Sequence, residues 1–132
     1  MIDCLILGDS IAVGTHMQRP ECVAYAKGGL NTYQWNRDYL KNNLTANTVI
    51  ISLGSNDHKG VRTKTELQRV REKVGSTAKV YWILPAIKPE IQAIVESMAK
   101  EYGDTVLPIT HLSTDGVHPT TKGYKQLAEK TK

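Results

Sequence analysis

Two kinds of segment alternate along this chain, and that alternation limits the folds open to it more than any other feature. Short apolar runs rich in β-branched residues recur five times, each followed by a stretch with helical spacing. Residues 2–7 form the first run, stopped by Gly8. A short helix is expected over residues 10–17, with Pro20 closing the connection. The second run is residues 22–26. Asn31 then suits the cap of a helix reaching about Lys41 and carrying Tyr33, Trp35, Tyr39 and Leu40. The third run, residues 48–53, is almost continuously apolar. Behind it Thr63-Lys64-Thr65-Glu66 matches a capping box, Leu67, Val70 and Val74 recur at helical spacing, and Gly75 is a natural stop. Residues 79–84 form the fourth run, stopped by Pro85. Pro89 suits the first turn of a helix with Ile91, Ile94, Val95 and Met98 on one stripe. Residues 105–107 form a short fifth run. A last helix over 120–130 turns Tyr124, Leu127 and Ala128 inward.

Apolar strands separated by amphipathic helices imply a parallel sheet covered on both faces, with right-handed crossovers. The expected fold class is therefore α/β, a three-layer α/β/α sandwich around five parallel strands. With 132 residues the chain is sized for a single domain spanning 1–132. In such sheets ligands bind beyond the carboxyl ends of the strands, so chemistry is sought in the loops that follow the apolar runs.

Four motifs lie in those loops. Gly8-Asp9-Ser10 ends the first run, Gly28-Gly29 follows the second, and Gly54-Ser55-Asn56-Asp57 follows the third. Asp115-Gly116-Val117-His118-Pro119 precedes the last helix. A serine hydroxyl needs a neighbouring base before it is a useful nucleophile. A helix beginning at Ser10 offers free N–H groups to developing negative charge; Asp9 or Ser10 acting only as a helix cap is the competing explanation. Gly29 lets the backbone approach a ligand and donate its N–H, and the amide of Asn56 can donate to an oxyanion. Asp115 and His118, three residues apart, let a carboxylate hold one imidazole nitrogen and leave the other for the serine. Each motif has an ordinary turn or cap as its alternative. All of them at one edge of one sheet is a different matter: nucleophile Ser10, base His118, orienting carboxylate Asp115 and oxyanion donors Ser10, Gly29 and Asn56. Asp9, Asp57 and His58 are expected near the rim of such a site, with Asp57 bracing its loop.

Composition sets the partners. The net charge of +4 is first of all a matter of solubility. Basic residues gather around the helix behind Thr63, but no aromatic residues interleave with them, so no nucleic-acid partner is expected. His16, His58 and His111 show no metal-ligand spacing, and no metal is expected. Cys4 and Cys22 lack both metal spacing and a disulfide framework, so they are expected to be buried free thiols. No apolar run reaches membrane-spanning length. The sequence as given opens on a strand without a signal peptide, which makes a cytoplasmic setting the default expectation. Tyr33, Trp35 and Tyr39 could offer a sugar-stacking surface, but core packing is the better expectation.

On Gly8-Asp9-Ser10, Gly29-Leu30-Asn31-Thr32, Asn56 and Asp115-Gly116-Val117-His118-Pro119, the chain resembles the SGNH hydrolases, also called the GDSL family. The match runs over nearly the full length, and His118-Pro119 followed by Gly123-Tyr124 is similar to the family's closing helix. The resemblance implies a flavodoxin-like α/β/α sandwich and ester or thioester hydrolysis without a cofactor. It also implies that His118 acts as base and then acid, with Asp115 orienting it, and that Ser10, Gly29 and Asn56 form the oxyanion hole. Family members are often longer, with inserted loops that shape the acyl pocket. Here the loops after Asn56 and between Pro85 and Pro89 are short. Specificity resides on such loops, so a shallow site for a small acyl group, such as acetyl on a carbohydrate ester, is expected. A thioesterase or lysophospholipase on the same scaffold is the nearest alternative. A non-catalytic binding module is a more distant one. A flavin- or phosphate-binding protein ranks last, because neither a P-loop nor GxGxxG is present.

Overall fold

A computed structural model describes residues 2–132. Five strands, β1 (Ile2–Gly8), β2 (Val23–Ala26), β3 (Ala46–Ser52), β4 (Lys79–Ile83) and β5 (Thr105–Leu107), form one sheet in the order β2-β1-β3-β4-β5. Every neighbouring pair is parallel. Between the strands run α1 (Ser10–Gln18), α2 (Thr32–Tyr39), α3 (Thr63–Val74) and α4 (Pro89–Tyr102), and α5 (Thr121–Lys130) closes the chain.

Strand side chains alternate between the two faces, and two apolar clusters result. Leu5 and Leu7 of β1, Val49 and Ile51 of β3, and Val80 and Trp82 of β4 face α2, α3 and α4. Ile6, Ile50, Tyr81 and Ile83 face α1 and α5, where they meet Ile11 and Leu127. Both faces are thus covered, which explains why β1 and β3 read as unbroken apolar runs. At the amino end of the sheet a buried Arg71–Asp104 pair, with Nε to Oδ2 at 2.7 Å, also takes the Trp82 indole N–H.

Element boundaries follow the sequence closely, with informative departures. β3 begins two residues before the expected run, because Ala46 still pairs with Ile2 across the sheet. The capping box expected at Thr63 does not form. Thr63 is already the first residue of α3, behind an Arg62 cap without a side-chain bond, and its hydroxyl goes instead to the Asp57 carboxylate at 2.6 Å. The capping box of this fold is at α2, where Asn31 and Gln34 exchange side-chain bonds with each other's backbone N–H.

The expectation of free thiols is overturned. Cys4 and Cys22 form a disulfide. Leu5 stands opposite Val23 in the β1–β2 register, so the residues just before them are brought side by side, with Cα atoms 4.9 Å apart. The bridge closes a loop that contains α1. Among the described residues no helix is long and apolar enough to cross a membrane.

Candidate active site

The chain reverses direction around β1, so the gap beyond β1 and β3 is the switch point where doubly wound sheets bind ligands. Ser10 stands there. β1 runs into α1 without a linker beyond Asp9, and Asp9 caps the helix by accepting the Ile11 N–H at 3.0 Å. Among the described residues the Ser10 N–H has no acceptor within the protein.

His118 arrives from the far end of the chain. The segment after β5 folds back on itself: Thr120 N–H bonds the His111 carbonyl and Ser113 N–H bonds the His118 carbonyl, both at 2.8 Å. An antiparallel bridge between Leu112 and Pro119 completes this small hairpin. Asp115 organises its tip. One carboxylate oxygen accepts from the Ser113 hydroxyl and from the N–H groups of Val117 and His118. The other lies 2.7 Å from His118 Nδ1. These bonds, the His118 and Val117 N–H groups first, hold the Asp115 carboxyl well below the usual carboxylate range.

The opposite imidazole nitrogen, Nε2, lies 2.8 Å from Ser10 Oγ, across 108 residues of sequence. An ionised Asp115 can only accept, so in the neutral ring Nδ1 carries the proton and Nε2 accepts from the serine hydroxyl. The side chains of His118 and Asp115 are 41% and 51% exposed. The base and its carboxylate therefore lie open to solvent rather than in a closed chamber.

Two further loops follow β2 and β3. After β2, Gly28 lies against the nucleophile: a Cβ built on it would stand 3.7 Å from that of Ser10. Gly29 has φ +84°, a conformation open chiefly to glycine. After β3, the Asn56 amide donates one N–H to the Leu30 carbonyl at 3.0 Å and keeps a second. Asn56 thereby ties the loop after β3 to the loop after β2.

Asp9 does not reach the surface, whereas Asp57, though buried, belongs to the lining of the cavity beside His58. Asp9 is fully buried and Asp57 is 2% exposed. Asp57 accepts from the Thr32 N–H, the Thr32 hydroxyl and the Thr63 hydroxyl. It joins the first turns of α2 and α3 beneath Asn56, the bracing role its position suggested. His58 is exposed and edges a cavity of about 420 Å³ with Val61, Lys88, Ile91 and Ile94. Of the three aromatic residues of α2, Trp35 is buried and bonds the Tyr25 carbonyl, Tyr39 packs on Trp35 and Tyr25, and Tyr33 faces solvent.

One participant was missed. Lys88, between β4 and α4, bonds the carbonyls of Ser55 and Asp57 on either side of Asn56. Its partners are backbone oxygens, which leave no trace in a sequence; a lysine before a proline was the whole signal.

Chemically, the arrangement offers a hydroxyl with a base in contact and a base with a fixed tautomer. No protein-family model matches the sequence, and neither does any curated protein. Solved structures do. A Bacteroides fragilis protein assigned to the acylhydrolases superposes with a TM-score of 0.70 at 19% identity, over 96% of this chain and 83% of that one. A member of the lipolytic G-D-S-L family from Veillonella parvula gives 0.66 at 15%, over 98% and 96%. The C-terminal catalytic domain of Streptococcus pneumoniae peptidoglycan O-acetyltransferase A, with a methylsulfonyl adduct, gives 0.63 at 20%, over 97% and 89%. The molecule is a doubly wound α/β protein with loops converging at one sheet edge. More particularly, its fold is that of the SGNH, or GDSL, hydrolases.

Proposed function

We propose that this protein is a serine esterase that removes small acyl groups, acetyl first among them, from carbohydrate esters. The observation that carries this reading is the continuous contact from Ser10 Oγ through His118 to the Asp115 carboxylate. In the first step Ser10 Oγ bonds to the ester carbonyl carbon while Nε2 of His118 takes its proton. The resulting oxyanion is held by the N–H groups of Ser10 and Gly29 and by the second N–H of Asn56. Collapse breaks the bond to the alcohol oxygen, which leaves with the proton from His118. Water then repeats the sequence on the acyl-serine and releases the acid. Asp115 stays charged throughout and stabilises the imidazolium.

The exposure of His118 and Asp115 supports a small acyl group leaving from a larger alcohol. The fold shared with a peptidoglycan O-acetyltransferase domain supports an acetylated carbohydrate as the substrate class. The Cys4–Cys22 bridge supports work in oxidising surroundings rather than in a reducing cytoplasm. A thioesterase or lysophospholipase has one observation in its favour: the cavity beside His58 has Val61, Ile91 and Ile94 in its walls, which suits an alkyl chain.

A panel of chromogenic and sugar acetyl esters, acyl-CoA and lysophospholipid, run beside Ser10→Ala, tests both readings. The wild type is expected to turn over acetyl esters and to be labelled at Ser10 by a fluorophosphonate. The variant is expected to lose at least about 10³-fold in kcat with its circular dichroism unchanged. Turnover that survives in the variant, or a wild type that resists labelling, overturns the esterase. Equal turnover of acetyl and long-chain esters overturns the small-acyl preference.

A further inference from the structure

Lys88 occupies a position that suits neither its backbone nor its charge. It is the one non-glycine residue with positive φ (φ +64°, ψ +84°) among the described residues. It also stands at the N-cap of α4, where the helix dipole disfavours a cation. Strain of this kind persists only where the surroundings enforce it, and it gathers at functional sites.

The side chain supplies the reason. Lys88 Nζ donates to the Ser55 carbonyl at 2.8 Å and to the Asp57 carbonyl at 2.6 Å. Those two carbonyls flank Asn56, so one ammonium grips the chain on both sides of it. The base of the grip is fixed as well: a Cβ at Gly54 would stand 2.7 Å from Ile91 Cγ2, so the loop after β3 lies directly against the first turn of α4. From the other side the Asn56 amide is held by the Leu30 carbonyl.

We infer that Lys88 is a positioning residue whose ammonium holds the loop around Asn56, so that the free N–H of the Asn56 amide stands aimed at the oxyanion. This rests on the esterase reading for its catalytic meaning, but not for its geometry. A lysine serves here because its three donors are charged and can satisfy two carbonyls from one atom.

The test is a cycle with Asn56. Lys88→Met keeps the stem and the backbone demand and removes the donors. It is expected to lower kcat on an acetyl ester about tenfold or more and to leave KM within about twofold, because misplacing an oxyanion donor weakens transition-state binding. In an Asn56→Ala background the same substitution is expected to cost nothing further. In Lys88→Cys, treatment with 2-bromoethylamine restores an ammonium at nearly the lysine's reach and is expected to restore kcat; Cys4 and Cys22 are bonded to each other and do not compete. Additive losses in the two backgrounds, or no recovery on aminoethylation, overturn the inference. A readout independent of turnover separates it from the esterase reading. In Ser10→Ala protein, Lys88→Met is expected to shift and broaden the Asn56 side-chain amide resonances, and unchanged resonances overturn the clamp whatever the substrate.

Discussion

Asp9 shows how one residue beside the nucleophile reconciles two opposed demands. One of its oxygens accepts the Ile11 N–H and, at 3.4 Å, the Ser52 hydroxyl; the other, fully buried, has no partner. Burial outweighs those bonds and pushes the carboxyl up to about 6. The folded protein therefore binds this proton more tightly than the unfolded chain does. Between the unfolded value near 4 and the folded value near 6, the unfolded chain has lost a proton that the native state keeps. Stability from this group is accordingly greatest in acid and declines as pH rises through about 6, by up to about 3 kcal/mol. Urea denaturation of wild type and Asp9→Asn across pH 4 to 8 checks this. The wild type is expected to lose ground relative to the variant as pH rises, and a difference independent of pH refutes the assignment. The motif around Asp9 is legible in the sequence; its burial is not, because a GDS tripeptide looks the same whether the aspartate faces solvent or caps a helix. The same gap hides the burial of Asp57, whose carboxylate is taken up by Thr32 and Thr63. Ser10, His118 and Asp115 were legible because each lies where an apolar run or a turn signal ends.

At the scale of the elements, the turn from β1 into α1 is the most constrained joint. Gly8 has φ +146°, and a Cβ there would stand 1.9 Å from the Ser52 carbonyl oxygen. That oxygen also accepts the Asp9 N–H, so it belongs to the continuing β1–β3 ladder and cannot move aside. Gly8→Ala is therefore expected to cost more than about 3 kcal/mol, since the clash is with backbone and no rotamer relieves it. Gly29→Ala meets nothing within 4 Å and has only its positive φ to contend with, roughly 1–2 kcal/mol. Chemical denaturation of the two variants gives the comparison, and equal losses contradict it. The strand and helix order was legible because periodicity is local. The false capping box at Thr63 shows the limit of local signals: the Asp57 carboxylate, six residues away through a turn, competes for the hydroxyl and wins. The winning partner lies in the loop before α3, outside the four residues from Thr63 to Glu66 on which a capping box is read.

The whole molecule adds one constraint that neither residue nor element reveals. Cys4 and Cys22 are separated by 18 positions, and only the β1–β2 register makes them neighbours. Register between parallel strands is set by the packing of the helix that crosses between them, here α1 over the sheet, and a lone pair of cysteines carries no sign of it. The bridge encloses Ser10 and α1, yet it anchors the edge strand β2. The nucleophile itself is held from the other side, where β1 pairs with β3 along nearly its whole length. Removing the bridge should thus loosen the edge without dispersing the site. A loop of this size gives the crosslink about 3 kcal/mol, mainly through the unfolded chain, and in a protein of this length that corresponds to a melting temperature lower by roughly 10 °C. The paired Cys4→Ala and Cys22→Ala protein is expected to melt lower by that amount and to ignore added dithiothreitol, while wild type in dithiothreitol falls to the same value. At 25 °C both are expected to keep their turnover of an acetyl ester, with the loss appearing only as temperature rises towards the lowered transition. Loss of turnover at 25 °C in the fully folded double variant contradicts this division and shows that the Gly28-Gly29 loop after β2 needs the bridge to hold its place beside Ser10.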